Sequence, residues 1–136
     1  MNIPKHLSHK PIIAVDHYED IDSKLKNNTD VRYLSIGKAQ YDNTEISLKV
    51  WRQANNKWSR QSEELPIHRN IDLSILFIAS LLTDVSSNYP TSNLREQIIE
   101  KDQVDDIKDY YRKHENQLKP RLQELKKQLD YFLSLK

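Results

Sequence analysis

The stretch ISLKVWRQANNKWSRQSEELPIHR, residues 46–69, decides how the chain is read. It holds both tryptophans, five basic residues, an adjacent glutamate pair and the entry to the one strongly apolar run. Ile46, Leu48 and Val50 alternate with Ser47, Lys49 and Trp51, the period of two of a half-buried strand. Ala54-Asn55-Asn56-Lys57 reads as a tight turn, because asparagine tolerates positive φ. Residues 58–65 return as a further strand, and Pro66 ends the sheet pattern.

Upstream, Leu34 and Ile36 alternate with Tyr33 and Ser35, and Tyr41-Asp42-Asn43-Thr44 forms a turn. The segments make an antiparallel meander over residues 31–66. With Ile46, Leu48 and Val50 turned to the core, Lys49 and Trp51 face away. Leu34 and Ile36 facing inward would carry Lys38 and Gln40 in with them. A bulge at Gly37 is expected to turn those two residues over. Tyr33, Lys38, Gln40, Lys49 and Trp51 then share an aromatic and cationic outer face. Residues 12–15 read as an arm or edge strand. Residues 16–28, with Ile21 and Leu25 at i,i+4, read as one short helix.

Downstream, IDLSILFIASLL (residues 71–82) is apolar nearly all round, which predicts a buried helix over 68–83 packed on the inner sheet face. Residues 83–92, with Asn88, Pro90 and several serines, are a break. Residues 93–136 are helical by composition. Val104, Ile107, Tyr111, His114 and Leu118 step by three and four, and the seam resumes as Leu122, Leu125, Leu129 and Phe132. Pro120 either kinks one helix or splits it. So narrow a stripe suits either self-association or packing back on the sheet. The fold class expected is α+β: an antiparallel β-meander packed on a buried helix, with long, coiled-coil-like C-terminal helices. Residues 1–90 form the α+β domain, and residues 91–136 a helical region for packing and homo-oligomerisation.

Composition narrows the chemistry. Hydrophobic residues are 37% and charged residues 30% of the chain, a balance that suits a modest core or one completed by a partner. Gly37 is the single glycine, so glycine-rich phosphate loops are excluded. Without cysteine there is no disulfide, thiolate nucleophile or cysteine-based zinc site. The first ten residues are polar, and no apolar run approaches the ~18 residues of a membrane span, so a cytoplasmic protein is expected. Net charge is +1. The positive surplus lies in residues 31–70, with seven basic against four acidic residues. That is too little for a long nucleic-acid track and enough for a compact anion.

Catalytic arrangements fail on geometry. Glu63 and Glu64 are strand neighbours pointing to opposite faces, so they cannot share a proton; one is expected to pair with an arginine and the other to meet solvent. Ser62, His68 and Asp72 lack a nucleophile elbow and read as a polar cluster at a helix start. His6, His9 and His17 with Asp16 or Asp20 lack metal-ligand spacing and read as a solvated arm. His68 and Arg69 are more informative. They sit at the start of the apolar helix, where the dipole is positive and a cation wants an anion beside it, either Glu63 or Glu64 or a bound ligand. Trp51 and Tyr33 offer stacking surfaces, with Lys38, Lys49, Arg52 and Arg60 for charge.

KWSRQSEELPIHRNIDL (57–73), with SIGKAQYDN (35–43) and SLKVWR (47–52), resembles an uncharacterised family of small bacterial domains of unknown function. The resemblance spans roughly residues 31–80 and brings no activity with it. It implies that Trp51, Arg52, Trp58, Arg60, Gln61, Glu63, Glu64, Pro66, His68 and Arg69 act as one unit. The function expected is non-enzymatic, cofactor-free binding of a small anionic, nucleotide-like ligand by a homo-oligomer, in the manner of a sponge for a signalling nucleotide. The rival is a protein-interaction module of the inhibitor or immunity type, docking on an acidic partner.

Overall fold

β2 (Val31–Lys38) and β3 (Ile46–Ala54) form the central antiparallel pair of a five-stranded sheet, in register from Tyr33↔Trp51 to Lys38↔Ile46. The computed structural model describes residues 3–4, 9–58, 63–87 and 89–135. β1 (Lys10–Val15) lines the free edge of β2. β4 (Lys57–Trp58) and β5 (Glu64–Pro66) share the far edge of β3, pairing with its end and its beginning respectively. Helix α1 (Ile67–Leu82) follows directly, then α2 (Val104–Lys113) and α3 (Glu115–Ser134). The fold is α+β. The chain divides into two units, residues 1–75 and 76–136.

The β3–β4 turn forms as its sequence demands, with Asn55 at φ 53° and Asn56 at φ 61°. The lead-in does not become an α-helix. Residues 16–28 make two single 3-10 turns, Tyr18–Asp20 and Ser23–Leu25, punctuated by positive φ at His17, Ser23 and Asn27. Residues that repeatedly leave the right-handed region cannot propagate a helix.

The bulge expected at Gly37 lies elsewhere. Pairing of β2 with β3 runs uninterrupted through Gly37, and Lys38 shares a face with Ile36, opposite Ile46. The irregularity is in β1, between Pro11 and Ile13, across from the Gly37–Ile36 step. Gly37 serves close approach instead: a Cβ there would stand 2.0 Å from the Lys10 carbonyl oxygen and 2.7 Å from the Pro11 Cα.

The sheet is also turned over relative to expectation. Trp51 is 1% exposed, and Ser35, Gly37 and Ser47 on its face are buried. Leu34, Ile36, Leu48 and Val50, on the other face, are only half-buried. Alternation separates two faces without saying which one is covered, and here the serine-lined face is. Helix α1 forms where its apolar run predicts, yet only Ala79 on it is buried, while Ile71, Leu73, Leu76, Ile78 and Leu82 are exposed. The expected burial of this helix is therefore not found. In the second unit, residues 93–100 are irregular rather than helical, and the helical tail breaks at His114, not at Pro120. Pro120 sits in the second turn of α3, where its missing N–H forfeits one bond to the Asn116 carbonyl, and the helix continues to Ser134.

Replacing Gly37 with alanine should cost at least the upper end of the roughly 1–3 kcal/mol typical of overpacking, because backbone and not a pliable side chain stands in the way. Chemical denaturation measures this; a change within the ~0.5 kcal/mol of an ordinary surface substitution would contradict it.

Candidate functional site

Five residues from four parts of the sheet meet on its buried face. His9, just before β1, is fully enclosed. Its Nδ1 lies 2.9 Å from Ser47 Oγ and 3.4 Å from Glu64 Oε1, and its Nε2 lies 3.0 Å from Ser35 Oγ. The direction of every bond follows from its two ends. The Trp51 indole can only donate, and does so to Ser35 Oγ at 2.8 Å. The Glu64 carboxylate can only accept, taking the Ser47 hydroxyl at 2.7 Å and the Gln40 backbone N–H at 2.8 Å. The chain thus runs Trp51 to Ser35 to His9 to Ser47 to Glu64, with His9 neutral and its proton on Nδ1. The other tautomer would aim a lone pair at a carboxylate.

The electrostatics agree with that assignment. Burial lowers the His9 pKa below its ordinary value, aided by the Lys49 charge and opposed by Glu64. For Glu64, burial works upward but is outweighed by the bonds from Gln40, Ser47 and His9, so its carboxyl is held below the usual range.

The order hydroxyl–imidazole–carboxylate in Ser35, His9 and Glu64 is that of a nucleophilic relay. Ser35 is only 5% exposed, however, and its oxygen already accepts the indole N–H. A hydroxyl that a substrate carbonyl cannot reach has no nucleophilic role, so the network acts as a polar core.

Beside it lies a partly open aromatic cluster. Trp51 meets Trp58 edge-on at 5.6 Å, and Trp58 meets Tyr33 at 5.4 Å. The Lys49 ammonium sits 4.1 Å from the Trp51 ring centre. Lys49 is half-buried, and no carboxylate forms an ion pair with it among the described residues. Burial lowers its pKa, with the Glu64 charge opposing.

Of the residues singled out in the sequence, Tyr33, Lys49, Trp51 and Trp58 come together. Trp51 does so from the buried side, as a core residue and not a stacking platform. Lys38 lies on the opposite face, and Gln40 follows β2 and contributes its backbone N–H. Arg52 is engaged within the fold, bonding Glu63 and Asp30 at 2.8 Å each; these bonds, Glu63 first, raise its pKa. Glu63 thus takes the arginine as expected, whereas Glu64 enters the buried network and not solvent. Neither is the counter-ion of Arg69. His68 and Arg69 stand exposed in the first turn of α1, as does Asp72 one turn on. Arg60, Gln61 and Ser62 lie outside the described residues. Ser35 and Ser47 drew no functional reading from the sequence, and His9, read there as part of a solvated arm, is fully enclosed: it is 38 residues from Ser47 and 55 from Glu64, and no local pattern links them.

Residues 1–98 match the model of a family of unknown function (DUF6530), a longer span than the resemblance carried by the central motifs. No curated protein and no solved structure matches the chain.

The neighbouring glutamates should respond very differently to truncation. Glu64→Ala removes the acceptor of the buried Ser47 hydroxyl and a partner of the buried His9 ring, at about 1–3 kcal/mol each, so a loss of roughly 2 kcal/mol or more is expected. Glu63→Ala breaks an exposed pair and should cost less than about 1 kcal/mol. Equal losses in urea titrations would contradict the assignment of the network.

Proposed function

We propose that this chain, which belongs to the family of unknown function DUF6530, is a non-enzymatic module that binds a compact anionic, nucleotide-like ligand as a homo-oligomer. The observation that carries the reading is Lys49. A cation that is half-buried over an indole and, among the described residues, has no carboxylate in an ion pair with it gains most from an anion brought to it. Tyr33 and Trp58, both half-buried, supply aromatic surface next to that charge, a combination suited to a phosphate joined to a flat ring. Lys49→Met should weaken binding by about one to two decades, the equivalent of the roughly 1.5–3 kcal/mol of a charge-assisted hydrogen bond. Stability should hold or rise, since a desolvated cation is removed. Thermal-shift and calorimetric titrations with inorganic phosphate and a nucleoside monophosphate test this. A wild type that responds to neither would end the ligand reading.

Self-association is supported by the seam of α3, whose cover fades along its length. Leu118 and Leu122 are half-buried, whereas Leu125, Leu129 and Phe132 are exposed. Each would gain roughly 1.5–3 kcal/mol on full burial. Leu125→Glu with Leu129→Glu should yield a folded species of lower mass by light scattering; an unchanged mass, or a monomeric wild type, would contradict the oligomer.

One observation favours the second reading, a protein-interaction module docking on an acidic partner. Helix α1 presents six exposed aliphatic side chains together with the exposed His68 and Arg69. Release of a 260 nm-absorbing small molecule from the denatured protein would favour the ligand. A stoichiometric acidic protein in the same preparation would favour docking.

A further inference from the structure

Among the described residues, the imidazole of His9 is the titratable ring enclosed completely within the sheet's polar network, and the strand that follows it is an edge strand with little side-chain cover. β1 leaves Ile12, Ile13 and Val15 at 62%, 69% and 42% exposure, and its pairing with β2 is interrupted between Pro11 and Ile13. The start of this strand is held by its pairing with β2 at Lys10↔Lys38 and Pro11↔Gly37 and, just before it, by the bonds that the His9 ring makes to Ser35 on β2 and Ser47 on β3, with Glu64 on β5 beyond.

We propose that His9 is a proton-operated latch: the neutral ring fastens β1 to the sheet, and protonation of Nε2 releases it.

The chemistry of the bond chain gives the mechanism. In the neutral state Nε2 accepts the Ser35 hydroxyl, whose oxygen in turn accepts the Trp51 N–H. A proton on Nε2 makes that nitrogen a donor, so the Ser35 oxygen must accept a second bond beside that from the indole. The Ser35 hydroxyl hydrogen must then turn away and lose its acceptor. The ring would also carry charge with no access to water. Two charged groups face it. The Glu64 carboxylate, 3.4 Å from Nδ1, favours the protonated ring, and the Lys49 ammonium from β3 opposes it. Burial is the largest influence, so the neutral form wins in the closed state. The released segment can hydrate the ring, which the closed one cannot.

The sign follows directly. The unfastened ring has an ordinary pKa of 6.5, and the fastened ring a lower one. The latch is at full strength above pH 6.5. It weakens as pH falls from there to the lowered pKa, because the open state binds the proton more tightly. Glu64 acts in a separate window: its stabilising charge is lost only as pH falls below its ordinary 4.5.

Hydrogen exchange of backbone amides between pH 7.5 and 5, corrected for intrinsic rates, reads the latch. The amides of residues 9–15 other than Pro11, with those of β2 that bond to β1, should lose protection reversibly below about pH 6.5, while the amides bonded within the β2–β3 pair keep theirs. His9→Gln retains a donor and an acceptor without a proton to gain, and should show no such loss in that window. Loss of β1 protection in step with the amides bonded within the β2–β3 pair, the same loss in His9→Gln, or opening that begins only below about pH 4.5 would each overturn the latch. Should His9→Gln fail to fold, the wild-type ring protons decide by nuclear magnetic resonance. A His9 pKa below 6.5 that coincides with β1 opening supports the latch, and one at or above 6.5 overturns it.

Discussion

The bond from His9 to Ser47, closed by Glu64, is the interaction on which the sheet depends. It joins the segment before β1 to β3 and β5, elements that sequence alone would keep far apart. Among the described residues only Ile3, Val31, Ala39, Trp51, Ala79 and Val104 are buried hydrophobics, so little apolar burial stands behind the fold. A polar core of this kind adds modest net energy per bond, but its bonds are directional. A one-residue slip of β2 against β3 would carry Ser35 to the wrong face and leave the Trp51 indole and the His9 ring unpaired. Register is thereby fixed by what a wrong pairing would leave unsatisfied, more than by how much the right one buries.

The same constraint explains what could be read in the residues beforehand. The strands, the Asn55–Asn56 turn, the break after α1 and the extent of α1 follow from local pattern: alternation, positive φ and an unbroken apolar run. The covered face does not. Ser35 and Ser47 look like solvent-facing filler between aliphatic residues until His9 is placed over them, and nothing near His9 in sequence announces that. Gly37 carried a real signal that was assigned the wrong cause. A glycine in a strand marks either a bulge or a close neighbour, and only the position of the Lys10 carbonyl distinguishes the two. Pro120 misled in a related way, since a proline within the first turns of a helix removes a single bond and need not end it.

Glu63 and Glu64 show how strand alternation turns adjacent, identical residues into different chemistry. One points outward and completes a surface triad with Arg52 and Asp30, where water screens the charges and the energy is small. The other points inward, accepts from a hydroxyl, a backbone amide and a ring, and cannot be removed without stranding the buried hydroxyl. Arg52, which looked available for a ligand, is occupied by this arrangement. Among the described residues the cationic character of the face contracts accordingly to Lys49, and its aromatic character to Tyr33 and Trp58.

The exposed aliphatic side chains of α1 and of the end of α3 pose the remaining physical question. Helix α1 is apolar nearly all round, and such a helix is ordinarily covered on most of its surface. Contiguous apolar surface of that kind marks a contact with another molecule far more often than a surface left in water. Its position sharpens the point, because α1 begins at the residue after β5, whose Glu64 anchors the polar network. A molecule covering α1 would be held one residue from β5, close in sequence to the group that holds His9. A contact on this helix and the fastening of β1 would then act on the same short strand.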